Sequence, residues 1–552
     1  TAYSPFNRNY YYKDSNELPV SMLGQKQVGN NNSSHLGAYD IQIAKGTTPS
    51  SGKISFTFAH QVAIVRLDLT APREAEWSAI VLESDAFFTT EAKMNLAIAN
   101  PTLTTVKTSN SIRLDLENVA TTSSNMDITA YMMMLPIDLT DKNLVIKLID
   151  NEGIEYVATA TITNSNHNFA ASSARWITAD NFKMEGVEVH VATAGKLSSL
   201  ISAEDKYNIT TLTLTGNINS DDIAFIRAMA GFSNSGAKTD GKLVRLDLSG
   251  CNIVSGGSGY YSHSAYYTYD KTYAPDYQYA YSTYTTSDNV LPNCVFAKTN
   301  LTTVVLPSTI TAIDNQAFYG AKLKSVTIPA SARGMVNSYF GLYGQPFSYS
   351  EIENIYVAYN HPTMLSIDGL LYDKNTMQLL ACPGGRKDVV LPNNVTSIGS
   401  AAFMGTLYLT NVNISSGVSF SGTSKIFYLS SITSAIIPDG TTEIPQDMFY
   451  KCYNLSSASI PEGVKSIHSG NFSYSVLESV TLPSTIIEID GDAFSHMSEL
   501  KEVHCKAVTP PSIYNSPFYN SQSNCILYVP IGSLNAYNNA DVWKDFADIR
   551  EE

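Results

Sequence analysis

Apolar positions in the second half of the chain recur in a fixed frame. Leu301-Thr-Thr-Val304-Val-Leu306-Pro307 returns as Leu323-Lys-Ser-Val326-Thr-Ile328-Pro329, then as Ile432 to Pro438, Leu455 to Pro461, Leu477 to Pro483 and Leu500 to Cys505. The frame advances by 22 or 23 residues wherever nothing is inserted, a period that marks a solenoid in the leucine-rich range. Val480 and Leu482 alternate with Thr481, so a short strand turns two apolar side chains inward and one residue out. One coil cannot bury that face alone, and stacking completes the core. Later in most units an aromatic recurs (Ala317-Phe318, Ala402-Phe403, Met448-Phe449, Asn471-Phe472, Ala493-Phe494), and these rings are expected to plug the coil interior at equivalent positions.

Residues 1–186 lack the repeat. Alternating stretches at Lys53 to Phe58, Val62 to Leu69, Ser111 to Leu116, Asp127 to Leu135, Leu144 to Ile149 and Tyr156 to Ile162 are separated by polar turns and predict an antiparallel β-sandwich with few helices. The pattern changes near Glu185-Gly186. Residues 187–250 then read as a solenoid cap: a short helix at Ala194 to Ile201, a strand at Ile209 to Leu214, a helix Ile223 to Met229 capped by Asp221 and Asp222, and a strand at Leu243 to Leu248. Repeats occupy 301–505. Residues 506–552 read as the closing cap, with Trp543 and Phe546 three apart and turned to the core.

The unit Val480-Thr-Leu-Pro-Ser-Thr-Ile-Ile-Glu-Ile-Asp-Gly-Asp-Ala-Phe494 resembles the BspA-like branch of the leucine-rich repeats found on bacterial surfaces. Two units depart from that pattern. Val412-Asn-Ile414 lacks the proline, and the unit at Ile355-Tyr-Val357 runs through Asp368-Gly-Leu-Leu-Tyr372 to Cys382-Pro383, as a hairpin insertion would. The first region is similar to the fimbrillins of Bacteroides-type bacteria, with transthyretin-like sandwiches, through Phe56-Thr-Phe-Ala-His60, Ala63 to Leu69, Ala130-Tyr-Met-Met-Met-Leu-Pro136 and Phe169 to Trp176. Ala2-Tyr-Ser-Pro5 resembles a strand found partway into such a sandwich, so the front of that domain is expected to be truncated or replaced.

Charge narrows the partners. A net charge of −15 argues against nucleic acid or an anionic membrane, and no apolar run is long enough to span a bilayer. The chain opens at Thr1 without a methionine or signal core, which predicts a trimmed, exported fragment whose signal is not in this chain. Only 15% of residues are charged, as in secreted β-rich proteins with polar, uncharged surfaces. The six cysteines lie far apart without Cys-x-x-Cys spacing and are expected to be buried apolar residues. Among the nine histidines there is no metal-binding pair, and no cofactor motif occurs. Asp490 and Asp492 flank Gly491 in a repeat turn, which is a structural setting rather than a catalytic carboxylate pair.

Function is then expected from surfaces. The insert 256–286 holds ten tyrosines among Ser, Thr, Gly and Ala, the composition of adaptable binding loops. Tyr260, Tyr261, Tyr266, Tyr267, Tyr269, Tyr273, Tyr277 and Tyr279 are its candidate contacts, the alternative being rings packed on the solenoid flank. Outward strand positions, including Thr213, Asp247, Val305, Thr327, Tyr356, Asn413, Ile436, Ser459, Thr481 and His504, form a ladder, and solenoids use such faces for binding. Asp247, Val305, Tyr356, Ile436 and His504 are its candidate contacts. The resemblance implies non-enzymatic adhesion or recognition at the outer-membrane surface, an extracellular protein or glycan ligand, and a lipid anchor (a lipoprotein) upstream. Two rivals stay open: a fimbrial structural or tip subunit, and a glycan-binding component of a nutrient-capture system, which would need a coplanar Tyr/Trp platform.

Overall fold

Ala63–Thr70 shows how the two-residue period becomes structure: Ala63, Val65, Leu67 and Leu69 are buried while the residues between them are half-buried. A computed structural model describes residues 2–4, 17–45, 57–95, 102–162, 167–184, 186–263, 282–336, 345–415, 417–420 and 422–552. The chain divides into two compact units, Thr1–Glu185 with Ala358–Asn360, and Gly186–Val357 with His361–Glu552.

The first unit is a β-sandwich. One sheet runs Glu155–Thr159, Leu144–Asp150, Ala75–Asn95, Leu103–Thr121 and Gln25–Val28, with Glu17–Ser21 also on Ala75–Asn95. The other runs Thr161–Ile162, Ala174–Ala179, Ala63–Thr70 and Asp127–Met134. Ala2–Ser4 pairs with Gln42–Lys45 in a small third sheet. Ala75–Asn95, of 21 residues, is a long strand that the alternation does not predict. Its pairing with Leu103–Thr121 shifts register at four places, and next to the first of them the buried parity switches from Trp77 and Ala79 to Ile80 and Leu82. In this core Arg73 donates to Asp150 at 2.5 Å and to the Tyr156 hydroxyl at 2.8 Å, so the buried charges are paired.

In the second unit each coil contributes short parallel strands to two ladders. The first carries Val187–Val191, Thr211–Ile218, Arg245–Ile253 and Thr303–Val305, and later Ser479–Leu482, Glu502–Cys505, Ile526–Val529 and Asp548–Glu551. The second includes Glu443–Ile444, Ser466–Ile467, Glu488–Ile489 and Ser512–Ile513. Phe318, Phe403, Phe449, Phe472 and Phe494 are all fully buried. With Phe296, Phe347, Phe427 and Phe518 they form a spine in two stacks, Phe296 to Phe347 and Phe403 to Phe518, with neighbouring ring centres within each stack 4.7 to 5.6 Å apart. The departing unit is the expected hairpin: Met364–Ile367, Leu370–Asp373 and Gln378–Ala381 pair antiparallel.

The cap differs in one detail from the sequence reading. The helix Ser220–Met229 is capped by Asn219, whose side chain accepts from the Asp221 N–H, and Asp222 completes a capping box. The buried Asp222 carboxylate also accepts the N–H groups of Gly195 at 2.6 Å and Leu197 at 2.9 Å, tying the helix Leu197–Leu200 to the longer one. At the far end Trp543 and Phe546 are buried, and both rings pack on Phe518.

Candidate functional site

The strand ladder presents a polar, uncharged strip. Thr213, Thr327 and Tyr356 are half-buried, whereas Asn413, Ser459 and Thr481 are exposed. His504 stacks on Tyr528 with ring centres 4.6 Å apart, and its Nδ1 lies 2.8 Å from Glu552. Ile436 pairs through its backbone with Ser459; its side chain falls outside the described residues. Two members do not face outward as expected. Asp247 is buried, with its carboxylate turned back to accept the Ser249 N–H at 2.8 Å, and its register partner Val305 is buried too. Neither offers surface to a ligand in this conformation.

The tyrosine-rich insert is rooted differently from the expectation. Gly256–His263 and Ser282–Thr286 form an antiparallel hairpin, and Tyr260 and Tyr261 at its base are buried. The Tyr260 hydroxyl donates to the Asn293 carbonyl. Tyr261 lies under the buried Arg227 guanidinium, 4.4 Å from ring centre to Cζ, and that guanidinium donates to the carbonyls of Cys294, Val295 and Ala297. Burial without a carboxylate pushes the Arg227 pKa down, and the ring's negative face partly offsets the cost. These two tyrosines are therefore packing residues of the cap. Tyr266, Tyr267, Tyr269, Tyr273, Tyr277 and Tyr279 lie outside the described residues.

A third surface escapes the sequence reading. Just after the spine residues Phe427, Phe449, Phe472, Phe494 and Phe518 stands a half-exposed or exposed ring: Tyr428, Tyr450, Tyr474, His496 and Tyr519. Ring centres are 5.3 Å apart for Tyr428 and Tyr450, 5.7 Å for Tyr450 and Tyr474, 4.7 Å for Tyr474 and His496, and 5.5 Å for His496 and Tyr519. The Lys451 ammonium lies 5.4 Å from the centres of both Tyr450 and Tyr474, and burial lowers its pKa. The signal was available, because the rings recur with the coil period one or two residues after the spine.

Two family models account for the two units. That for the BspA type Leucine rich repeat region matches in six copies over residues 286–361, 385–501 and 465–536, and that for Fimbrillin-like proteins matches residues 1–194. The chain is a BspA-type leucine-rich repeat protein with an N-terminal fimbrillin-like domain. No curated protein matches it. Among solved structures, this BspA-type protein is similar to a leucine rich cell surface protein from Faecalibacterium prausnitzii, at 26% identity over 37% of this chain and 54% of that one, TM-score 0.29. The chain thus spans about half the length of that protein. A leucine-rich repeat protein from Bacteroides ovatus is 17% identical over 48% of this chain and 65% of that one, TM-score 0.32. A candidate cell adhesion protein from Bacteroides uniformis is 17% identical over 32% and 65%, TM-score 0.22. The two matched families are of adhesion and structural type, not enzyme families, and they point to adhesion or recognition at a surface in general terms.

Among the described residues no group of three or more His, Cys, Asp or Glu side chains is placed to hold a metal ion. All six cysteines are unpaired and buried. Asp490 lies 3.0 Å from His468 Nδ1, and the exposed Asp492 sits at φ +60° with its carbonyl accepting the Ser473 hydroxyl. The two aspartates therefore belong to a repeat turn.

Proposed function

We propose that the protein is a non-enzymatic adhesion protein of the bacterial surface that holds an extracellular protein partner on its repeat array. The supporting observation is the ring row from Tyr428 to Tyr519, a strip of aromatic surface that crosses successive coils. Exposed aromatic surface arranged in a row has the composition of a protein-binding face. Its geometry favours a protein over a glycan. Tyr428 stacks on Tyr450 and Tyr474 on His496, with planes 22° and 15° apart, so these rings cover one another's faces. A sugar needs a free face, whereas a protein surface can meet ring edges and hydroxyls.

Binding of the full chain to immobilised extracellular matrix proteins, bacterial cells and a glycan array tests this reading. Replacing Tyr474, His496 and Tyr519 with Ser, with circular dichroism confirming the fold, should weaken binding to the protein target by about tenfold or more. Deleting 264–281, which leaves the hairpin base intact, and replacing Tyr356 and Ile436 with Ala should each have a smaller effect. Binding that is confined to glycans, or that disappears only with the deletion, overturns the assignment to the ring row.

A further inference from the structure

Two coils part where the second ladder should run on. Ser397 bridges Ser419, but Glu443–Ile444 pairs with Ser466–Ile467 and, among the described residues, with no strand on its other side. Pro445 removes one of the bonds that would close the gap. The residues in its register, His468, Asp490 and Tyr514, donate their N–H groups to Ile444, Ile467 and Ile489 of the preceding coil at 3.2, 3.0 and 3.2 Å. Proline has no N–H to donate. Beyond the gap the coils rejoin, the Lys425 N–H meeting the Gln446 carbonyl at 3.0 Å.

The gap is a groove of about 890 Å³, within the roughly 300–1,000 Å³ range of ligand sites. Its walls carry Asp439, Glu443 and Asp490, and among the described residues no lysine or arginine lines it. His468 stands between two of these carboxylates, Nδ1 3.0 Å from Asp490 and Nε2 3.7 Å from Glu443. The remaining lining is largely Ser, Thr and Gly, small polar residues that suit a backbone more than a bulky apolar group.

We propose that this groove binds an extended peptide segment bearing a lysine or arginine side chain. The segment lies along Glu443–Ile444 as an added strand, since a strand paired on one side is a template for another chain. Its cation sits among Asp439, Glu443 and Asp490 in charge-assisted hydrogen bonds. This goes beyond the ring-row reading and does not depend on it.

The probes are three fluorescently labelled or reducing-end-tagged molecules: a capped Thr-Lys-Thr-Lys-Thr-Lys peptide, its Thr-Glu counterpart, and cellohexaose as a neutral glycan. With the full chain, the Lys peptide should bind, the Glu peptide should not, and raising NaCl from about 0.05 to about 0.5 M should weaken binding about fivefold or more. Glu443→Gln with Asp490→Asn should weaken it about tenfold. Asp541→Asn, which removes one exposed carboxylate from the closing cap, should leave it unchanged. Both altered groove carboxylates are at least partly exposed, so the fold should tolerate the change. The proposal is overturned if the Lys peptide fails to bind, if only cellohexaose binds, or if the groove pair and Asp541→Asn weaken binding equally.

Discussion

Phe449 lies between Phe427 and Phe472, ring centres 5.5 and 5.4 Å away, and is fully buried. Phe449→Ala should therefore cost about 3–5 kcal/mol, the lost burial plus the cavity left behind, read as a lower urea midpoint. A loss under about 1 kcal/mol would deny the ring its place in the spine. Burial also pushes the thiols of Cys251, Cys294, Cys452 and Cys525 up to about 12. A raised pKa means that the fold prefers the neutral thiol, so this contribution is full below the ordinary value near about 9 and is lost as pH rises toward about 12. The melting temperature should accordingly fall above about pH 9, less steeply in Cys452→Ala, and at about pH 8 the native thiols should resist a disulfide reagent that modifies them in urea. Rapid labelling of all six in the native protein would show that the coils open too readily for a packed core. At this scale much of the spine was legible, because Ala317-Phe318 and Ala493-Phe494 keep one phase. Phe296, Phe347, Phe427 and Phe518 lack that sign, since Val295, Pro346, Ile426 and Pro517 precede them.

Asp222 carries more of the cap than an ordinary capping residue. Its carboxylate accepts three N–H groups, from Gly195 at 2.6 Å, Leu197 at 2.9 Å and Asn219 at 3.0 Å. Asp222→Ala would leave these donors unpaired next to buried surface and should destabilise by about 2–4 kcal/mol, while Asp222→Asn, still an acceptor, should lose less. A cap that melts unchanged in Asp222→Ala would show that water replaces the carboxylate. Elements were read well where one period persists, as in Ala63–Thr70, and badly where it is reset, as in Ala75–Asn95, whose buried parity switches between Ala79 and Ile80. The groove was legible in principle, since Pro445 stands at a position where the neighbouring coils donate an N–H. It was missed because proline in this chain otherwise marks the repeat itself, and the two roles look alike without the register. The buried roots of the tyrosine insert had no such signal: composition gives the number of rings, not which of them Arg227 covers.

At the scale of the whole molecule, the change of period near Gly186 separates two ways of building a core. The sandwich closes its sheets over side chains such as Leu67, Ile80 and Leu148. In the array, one apolar cluster runs from Val191 to Ala381 and another from Leu370 to Phe546. We take Gly186 as a domain boundary, so fragments 1–185 and 186–552 should each fold cooperatively when made alone. Their stabilities should behave differently. A sandwich whose strands pair across long sequence distances melts as one unit, whereas in a solenoid each coil supports only its neighbours, so damage at one place spreads along the stack. Phe449→Ala should then lower the transition of the 186–552 fragment and of the same region in the full chain, and leave the transition assigned to 1–185 where it was. Calorimetry of the full chain, the two fragments and the variant checks this. If neither fragment folds, or if the variant shifts a single indivisible transition, the two units are one cooperative body and the boundary is wrong.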